Sequence, residues 1–267
     1  VHEEPKALGP DSVVITCSHS GNTPETVKAT EVARAKGATT IALSNLVDSP
    51  LWKAAEYPIH YDWGKEALRI LVPGGHVFIA STPLLSDILG RAMRDAGFER
   101  RGEIIRTVST LRGGDRPKGA EKEFSDMSVI PRGVWEPWGL YRKPISEKTV
   151  AENIRKWNAG ALRREDVNSP FCDMIESKKT PSSEREIAPH PSLKPQAFIR
   201  KIVYASLPTG EGVILDPFAG SGSTLAAAVH YGYECIGIEK DLEYYKLAQS
   251  AIPKLADLYP EQLRLSL

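Results

Sequence analysis

Long apolar runs are missing from this chain of 267 residues. None approaches the ~20 consecutive apolar residues that a membrane helix needs. The opening VHEEPKALGP has neither a basic start nor an apolar stretch, so no secretory signal is expected. Cysteine is scarce: Cys17, Cys172 and Cys235 are the full set. Three widely spaced thiols suit neither a disulfide framework nor a zinc site. A reducing cytoplasm and no metal are therefore the expectation. An excess of either charge is missing too, because 34 Lys and Arg residues balance 34 Asp and Glu residues. There is no internal repeat and no low-complexity segment. What remains is an ordinary globular composition, long enough for one large domain or two small ones.

The balanced charge is unevenly spread. Residues 1–64 carry five basic and eight acidic side chains, a net of −3; residues 98–164 carry fifteen and nine, a net of +6. Trp135, Trp138, Tyr141 and Trp157 are interleaved with that basic stretch, a pattern that suits a nucleic-acid surface. A solvated face with a few buried aromatics is the alternative.

SVVITC (12–17), TTIALS (39–44) and YPIHYDW (57–63) read as strands. Between them TPETVKATEVARAKG (23–37) reads as a helix, with Thr23 as cap, Pro24 in the first turn and Gly37 at the end, and SPLWKAAE as a short one. The β-α-β-α-β order argues for a parallel sheet. EALRIL is a short helix or turn, PGG a tight turn, HVFIA a strand, LLSDILGRAMRDAGF (84–98) an amphipathic helix and EIIRTVST (103–110) a strand. Residues 111–190 show little periodicity and are rich in Gly, Pro and charge, which marks a functional insertion. Then come a helix (195–207), the strand GVILD (212–216), a helix (223–232), the strand CIGIEK (235–240) and a closing helix.

In that last part a strand, the loop DPFAGSGST, a helix and a strand ending at Glu239 make a nucleotide-binding half-unit. The GxG alone is also compatible with a tight structural turn. DPFAGSGST, preceded by HPSLKPQAF (190–198) and followed by GIEKD (237–241), resembles the β-class DNA amino-methyltransferases. These move a methyl group from S-adenosylmethionine to an exocyclic amino group of adenine or cytosine. The resemblance runs from about Lys65 to Leu267 and implies a Rossmann-like α/β sheet in permuted order with an irregular target-recognition insertion. It implies that Asp216, Pro217, Phe218, Gly220 and Gly222 form the cofactor loop. Glu239 would contact the ribose, and Ser192 and Lys194 would line the same pocket; an exposed lysine is the alternative for Lys194. Double-stranded DNA is the implied partner, with Arg112, Arg116, Lys118 and Arg132 on phosphates. LRGGDRPKGAEKEF can equally be a mobile loop.

One further absence bears on that family. Its members carry Asp/Asn/Ser-Pro-Pro-Tyr/Phe after a strand N-terminal to the PGGH turn, and this chain has no Pro-Pro pair. NSPF (168–171) has one proline and lies in the insertion, so no catalytic residue can be named. VVITCSHSGNTPETVKA stands in that place instead. It resembles the SIS phosphosugar domains, in particular the fructosamine-6-phosphate deglycases, through Ser18, Ser20, Gly21, Thr23, Glu25 and Thr26. Ser18, Ser20 and Thr23 would then hold a sugar phosphate at a helix N-terminus; a capped turn without ligand is the alternative. The likeness continues to about Gly64 and covers about half of such a domain.

The expected organisation is an SIS-like β-α-β segment (1–64) joined to a methyltransferase domain (65–267). The latter comprises a recognition region (108–190) and a cofactor half (191–267). Residues 65–110 and 195–256 are expected to share one twisted sheet; strands 12–17, 39–44 and 57–61 either extend it, SVVITC being apolar enough to fill the slot of the missing catalytic strand, or form a separate small layer. Three functions are open: a DNA amino-methyltransferase, a phosphosugar isomerase or deglycase fragment, and a chimera that binds neither ligand.

Overall fold

A computed structural model describes residues 8–18, 21–44, 46–60, 62–108 and 114–259. The chain divides into two compact units, Val1–Ile70 and Leu71–Leu267. Among the described residues no helix is long and apolar enough to cross a membrane.

The first unit alternates strand and helix: β1 (Val13–Cys17), α1 (Pro24–Ala35), β2 (Thr39–Ser44), α2 (Pro50–Ala54), β3 (Tyr57–His60) and α3 (Trp63–Ile70). β2 lies between β1 and β3, both parallel to it, with Val13 opposite Thr39 and Ile41 opposite Tyr57. Small side chains let α1 and α2 approach the sheet: Ala42, Leu51 and Ala55 form the core with Val27 against it. Hydroxyls satisfy the buried polar groups there. Thr30 donates to Thr16 Oγ1 at 2.9 Å or to the Thr26 carbonyl at 2.8 Å, and Thr40 Oγ1 accepts from the Glu56 amide at 2.9 Å. The opposite face is open, with Val13 and Ile15 63% and 65% exposed. SVVITC therefore sits in a three-stranded sheet within its own unit.

The second unit holds β4 (His76–Ala80), α4 (Ser86–Asp95), β5 (Glu99–Thr107), β6 (Trp135–Arg142), α5 (Val150–Trp157), β7 (Met174–Glu176), α6 (Ser182–Ile187), α7 (Gln196–Ser206), β8 (Val213–Asp216), α8 (Ser223–His230), β9 (Glu234–Gly237) and α9 (Leu242–Ala256). The single sheet expected for 65–110 and 195–256 is not found. HVFIA (β4) belongs to a four-stranded sheet of order β4-β6-β5-β7, whereas β8 pairs only with β9. A strand that could bridge β4 and β8 is lacking among the described residues of this unit, so side-chain packing must join the two sheets.

That packing centres on α7. Its Phe198, Ile199, Ile202 and Val203 share one cluster with Ile104, Trp138, Leu140 and Ile175 of the larger sheet, with Ile214 of the smaller one, and with Ala227 and Ala228 of α8. Trp138 meets Phe198 edge-on at 5.1 Å. On α7, buried Arg200 donates to the carbonyls of Leu255, Ala256 and Leu258 at 3.0, 3.1 and 2.7 Å. A guanidinium there satisfies the acceptors that the end of α9 leaves over.

The insertion is less irregular than its composition suggests. β6 runs antiparallel between β4 and β5, with His76 opposite Arg142 and Ile104 opposite Trp138. Tyr141 and Trp138 are 1% and 8% exposed, so two of the four aromatics read as a nucleic-acid surface are core residues. WEPWGLYR hides its strand character because Pro137 and Gly139 break the apolar alternation. α5 has a capping box, Thr149 with Glu152, and ends at Asn158 in the left-handed region. Asn153 fixes the following turn through Pro73 O at 2.9 Å, Ala159 O at 2.7 Å and the Ser146 amide at 3.1 Å.

Burial, followed by the charges of Arg142 and Arg101, lowers the pKa of His76 to about 4. Between that value and the ordinary 6.5, the unfolded chain binds a proton that the folded chain refuses, so stability falls as pH falls. Urea titrations should show a loss of about 2 kcal/mol from about pH 8 to about pH 5 through this group. His76→Gln should flatten that part of the profile. An unchanged slope in the variant would exclude His76 as its source.

Candidate cofactor site

β8 runs into the loop at Asp216, and the loop is folded by its own polar groups. The Asp216 carboxylate accepts from the Phe218 amide at 3.0 Å. Ala219 donates to Ile238 O, and Ile238 to Asp216 O, both at 2.9 Å. The chain then turns through Gly220 and Gly222, at φ +52° and +85°, a region that costs most residues roughly 1 kcal/mol or more. Space adds to that demand. A Cβ on Gly220 would lie 3.2 Å from the His190 ring, and one on Gly222 only 2.5 Å from Ile252 Cγ1. Gly222 caps α8, which leaves the first amides of that helix facing the loop.

Glu239 follows β9. Its Oε2 accepts from the Gly220 amide at 2.8 Å and its Oε1 from the Asp241 amide at 2.9 Å. These amides, Asp241 first, hold its carboxyl below the usual range. A carboxylate has about four lone-pair positions, and these bonds occupy two. Asp241 caps α9 through Glu243 and Tyr244, at 2.9 and 3.1 Å. The segment before α7 closes the other side. The His190 ring meets Tyr244 edge-on at 4.4 Å and accepts at Nδ1 from the Ser192 amide at 3.1 Å. Lys194 donates its amide to Ser223 Oγ at 3.3 Å, and its ammonium to Glu136 at 2.8 Å. Two loop side chains stand out. Phe218 is 81% exposed, and the Ser221 hydroxyl, 2% exposed, has no partner among the described residues.

The structure thus brings Asp216, Pro217, Phe218, Gly220, Gly222 and Glu239 together in one loop and its rim, with Ser192 and Lys194 beside it. His190, Ser221 and Ser223 were not singled out by sequence, although HP-x-x-KP and the loop wording contain them. Arg116, Lys118 and Arg132 are exposed on the segment 114–134; Arg112 lies outside the described residues. Arg116 donates to Ser125 O at 2.7 Å and borders a hollow of about 460 Å³ shared with Asp115, Glu121 and Asp126. Carboxylates outnumber cations there, which weakens it as a phosphate seat.

In the first unit, Ser18 and Thr23 share a hydroxyl–hydroxyl bond of 2.9 Å. Thr23 stands at the α1 N-cap but makes no side-chain cap bond, because its hydroxyl is turned to Ser18. Ser20 lies outside the described residues. Among the described residues no group of His, Cys, Asp and Glu side chains could hold a metal.

Comparison with known proteins finds two family models. One, a DNA methylase model of the N6/N4 type, matches residues 57–250; the other, an SIS domain, matches residues 2–82. Fructosamine deglycase FrlB of Bacillus subtilis (strain 168) is 57% identical over 70 residues, 26% of this chain and 21% of that protein. The chain thus spans only about a fifth of the deglycase. The type II methyltransferase M2.LlaDCHI of Lactococcus lactis subsp. cremoris is 23% identical over 213 residues, 78% of this chain and 73% of the relative. The crystal structure of an M1.HpyAVI–SAM complex shares the fold, with a TM-score of 0.52 at 18% identity over 88% of this chain and 98% of that one.

A methyl group at position 222 should be costly on two counts, the left-handed backbone and the contact with Ile252. Gly222→Ala is expected to lower unfolding free energy by roughly 1–3 kcal/mol in urea titrations. A loss below about 0.5 kcal/mol would mean that the turn relaxes freely.

Proposed function

Because this chain belongs to the DNA methylase family of the N6/N4 type, we propose that its loop Asp216–Gly222 binds S-adenosylmethionine, that it engages double-stranded DNA, and that by itself it leaves DNA unmethylated. The cofactor reading is carried by one observation: a glycine turn at the end of a parallel strand, with a carboxylate at the end of the next strand aimed at the same rim. The residues present fit such a ligand. Gly220 lets it approach the main chain, Glu239 keeps lone pairs for two ribose hydroxyls, and the buried Ser221 hydroxyl is a spare polar partner. Asp216, Pro217 and Phe218 form the wall. Ser192 and Lys194 support it through their amides, since the Lys194 charge is already paired. Bound S-adenosylmethionine would supply an activated methyl group. On DNA, Arg112, Arg116, Lys118 and Arg132 are the proposed phosphate contacts.

The third part of the proposal concerns the acceptor. An exocyclic amine has its lone pair delocalised into the base. Groups that accept its protons and aim that lone pair contribute roughly 7–11 kcal/mol through orientation. The chain has no Pro-Pro loop to do this, and the strand before Ser18 belongs to the sheet of the first unit.

Glu239→Ala should weaken S-adenosylmethionine binding roughly ten- to a hundredfold, the worth of a charge-assisted bond. Calorimetry on a folded sample measures this, and unchanged affinity would place the pocket elsewhere. Tritiated methyl transfer to mixed-sequence duplex DNA should stay at background, with DNA retained in a salt-sensitive way. Transfer above background from the pure chain would overturn that part.

A sugar-phosphate site is the second reading, favoured by the Ser18–Thr23 hydroxyl pair ahead of α1. Heat released with fructose 6-phosphate, and lost in Thr23→Val, would support it; no heat would remove it.

A further inference from the structure

Within the second unit, one carboxylate ties the larger sheet to the glycine loop. Glu136 lies on β6. Its Oε2 accepts from Arg106 at 2.8 Å and its Oε1 from Lys194 at 2.8 Å. Arg106, on β5, also donates to Ser177 Oγ at 3.0 Å and sits 5.0 Å from the Phe198 ring. Burial alone would raise the pKa of Glu136, but Lys194 and then Arg106 outweigh it and hold the carboxyl below its ordinary value. The group is therefore an anion between two cations, partly withdrawn from water.

What Lys194 does next gives the pair its meaning. Its amide donates to Ser223 Oγ at 3.3 Å, and the Gln196 side-chain amide donates to the Ser223 carbonyl at 3.0 Å. Ser223 is the first residue of α8, next to Gly222. No backbone ladder joins the two sheets among the described residues. The path Arg106–Glu136–Lys194–Ser223 is thus a polar connection from β5 and β6 to the loop.

We propose that Glu136 is a positioning residue for the glycine loop, acting through Lys194, and that it couples the order of that loop to the state of β5 and β6. Coupling of this kind is reciprocal: whatever shifts β6 changes the loop, and a filled loop biases β6 by the same free energy. The ligand part of this inference rests on the cofactor reading, but the loop's order does not.

Hydrogen exchange on the full chain tests it, in peptides covering residues 216–226, with α4 as reference. Glu136→Gln and Lys194→Met should each speed exchange in the loop about fivefold or more while α4 keeps its rate. Lys194→Arg should keep wild-type rates, because the pair survives. The double variant Glu136→Gln/Lys194→Met should be no faster than either single one, since both cut the same link. Loop rates within about twofold of wild type in both single variants would overturn the proposal. So would equal acceleration of loop and α4, which a general loss of stability produces. Calorimetry with S-adenosylmethionine then separates the two readings. About tenfold weaker binding in Glu136→Gln is expected; full affinity despite a loosened loop would overturn the positioning role. A wild-type chain that does not bind the cofactor would remove the cofactor reading, and the exchange result would still decide Glu136.

Discussion

Burial of α7 holds the methylase domain together, because among the described residues no strand pairing joins its two sheets. Phe198, Ile199, Ile202 and Val203 are almost fully buried. Side chains of this size contribute roughly 1.5–3 kcal/mol each on burial, so the four together outweigh any single polar contact across the same gap. The helix therefore fixes where β8 stands relative to β6. The ion pairs of Glu136 then set the finer position of the loop, since directional bonds constrain geometry where apolar packing constrains only distance.

Both units share an incompleteness. Parallel strands are normally covered on both faces. In the first unit Val13 and Ile15 face outward, and in the second so do Val213, Leu215 and Ile236 on β8 and β9. One face of the parallel strands in each unit thus carries exposed apolar side chains. The comparisons agree in extent: the SIS match is a short segment, and the DNA methylase match spans most of the chain. The chain joins an SIS segment to a DNA methylase domain. The two matches overlap over residues 57–82, and the boundary between the compact units, Ile70 to Leu71, lies inside that overlap.

The turns that follow β1 and β8 obey the same physics with different chemistry. Each follows the C-terminal end of a parallel strand and leads into a helix, where unpaired amides gather. Around Ser18 and Thr23 the donors are hydroxyls, suited to a phosphate. Around Gly220, half-buried between buried Ala219 and Ser221, the Glu239 carboxylate closes the rim, an acceptor suited to hydroxyls. The second arrangement is less suited to a bare phosphate, because Glu239 would repel it.

Sequence alone determined the local units. Strand–helix alternation in residues 12–44, the glycine turn at 216–222 and the acid after β9 were legible because each depends on neighbours in the chain: β-branched runs, a capping position, a residue tolerant of positive φ. The family likeness was legible for the same reason, since DPFAGSGST and SHSGNTPET are contiguous. Only the tertiary structure decided the rest. β6 was hidden because Pro137 and Gly139 interrupt its pattern, and its place between β4 and β5 comes from long-range pairing. Whether Trp138 and Tyr141 were surface or buried aromatics was open in the sequence, and packing against α7 and α4 decided for burial. The roles of Glu136, Lys194 and Arg200 depend on partners tens of residues away. The division into two sheets reflects the lack of a bridging strand among the described residues, and no local pattern records which strands will meet.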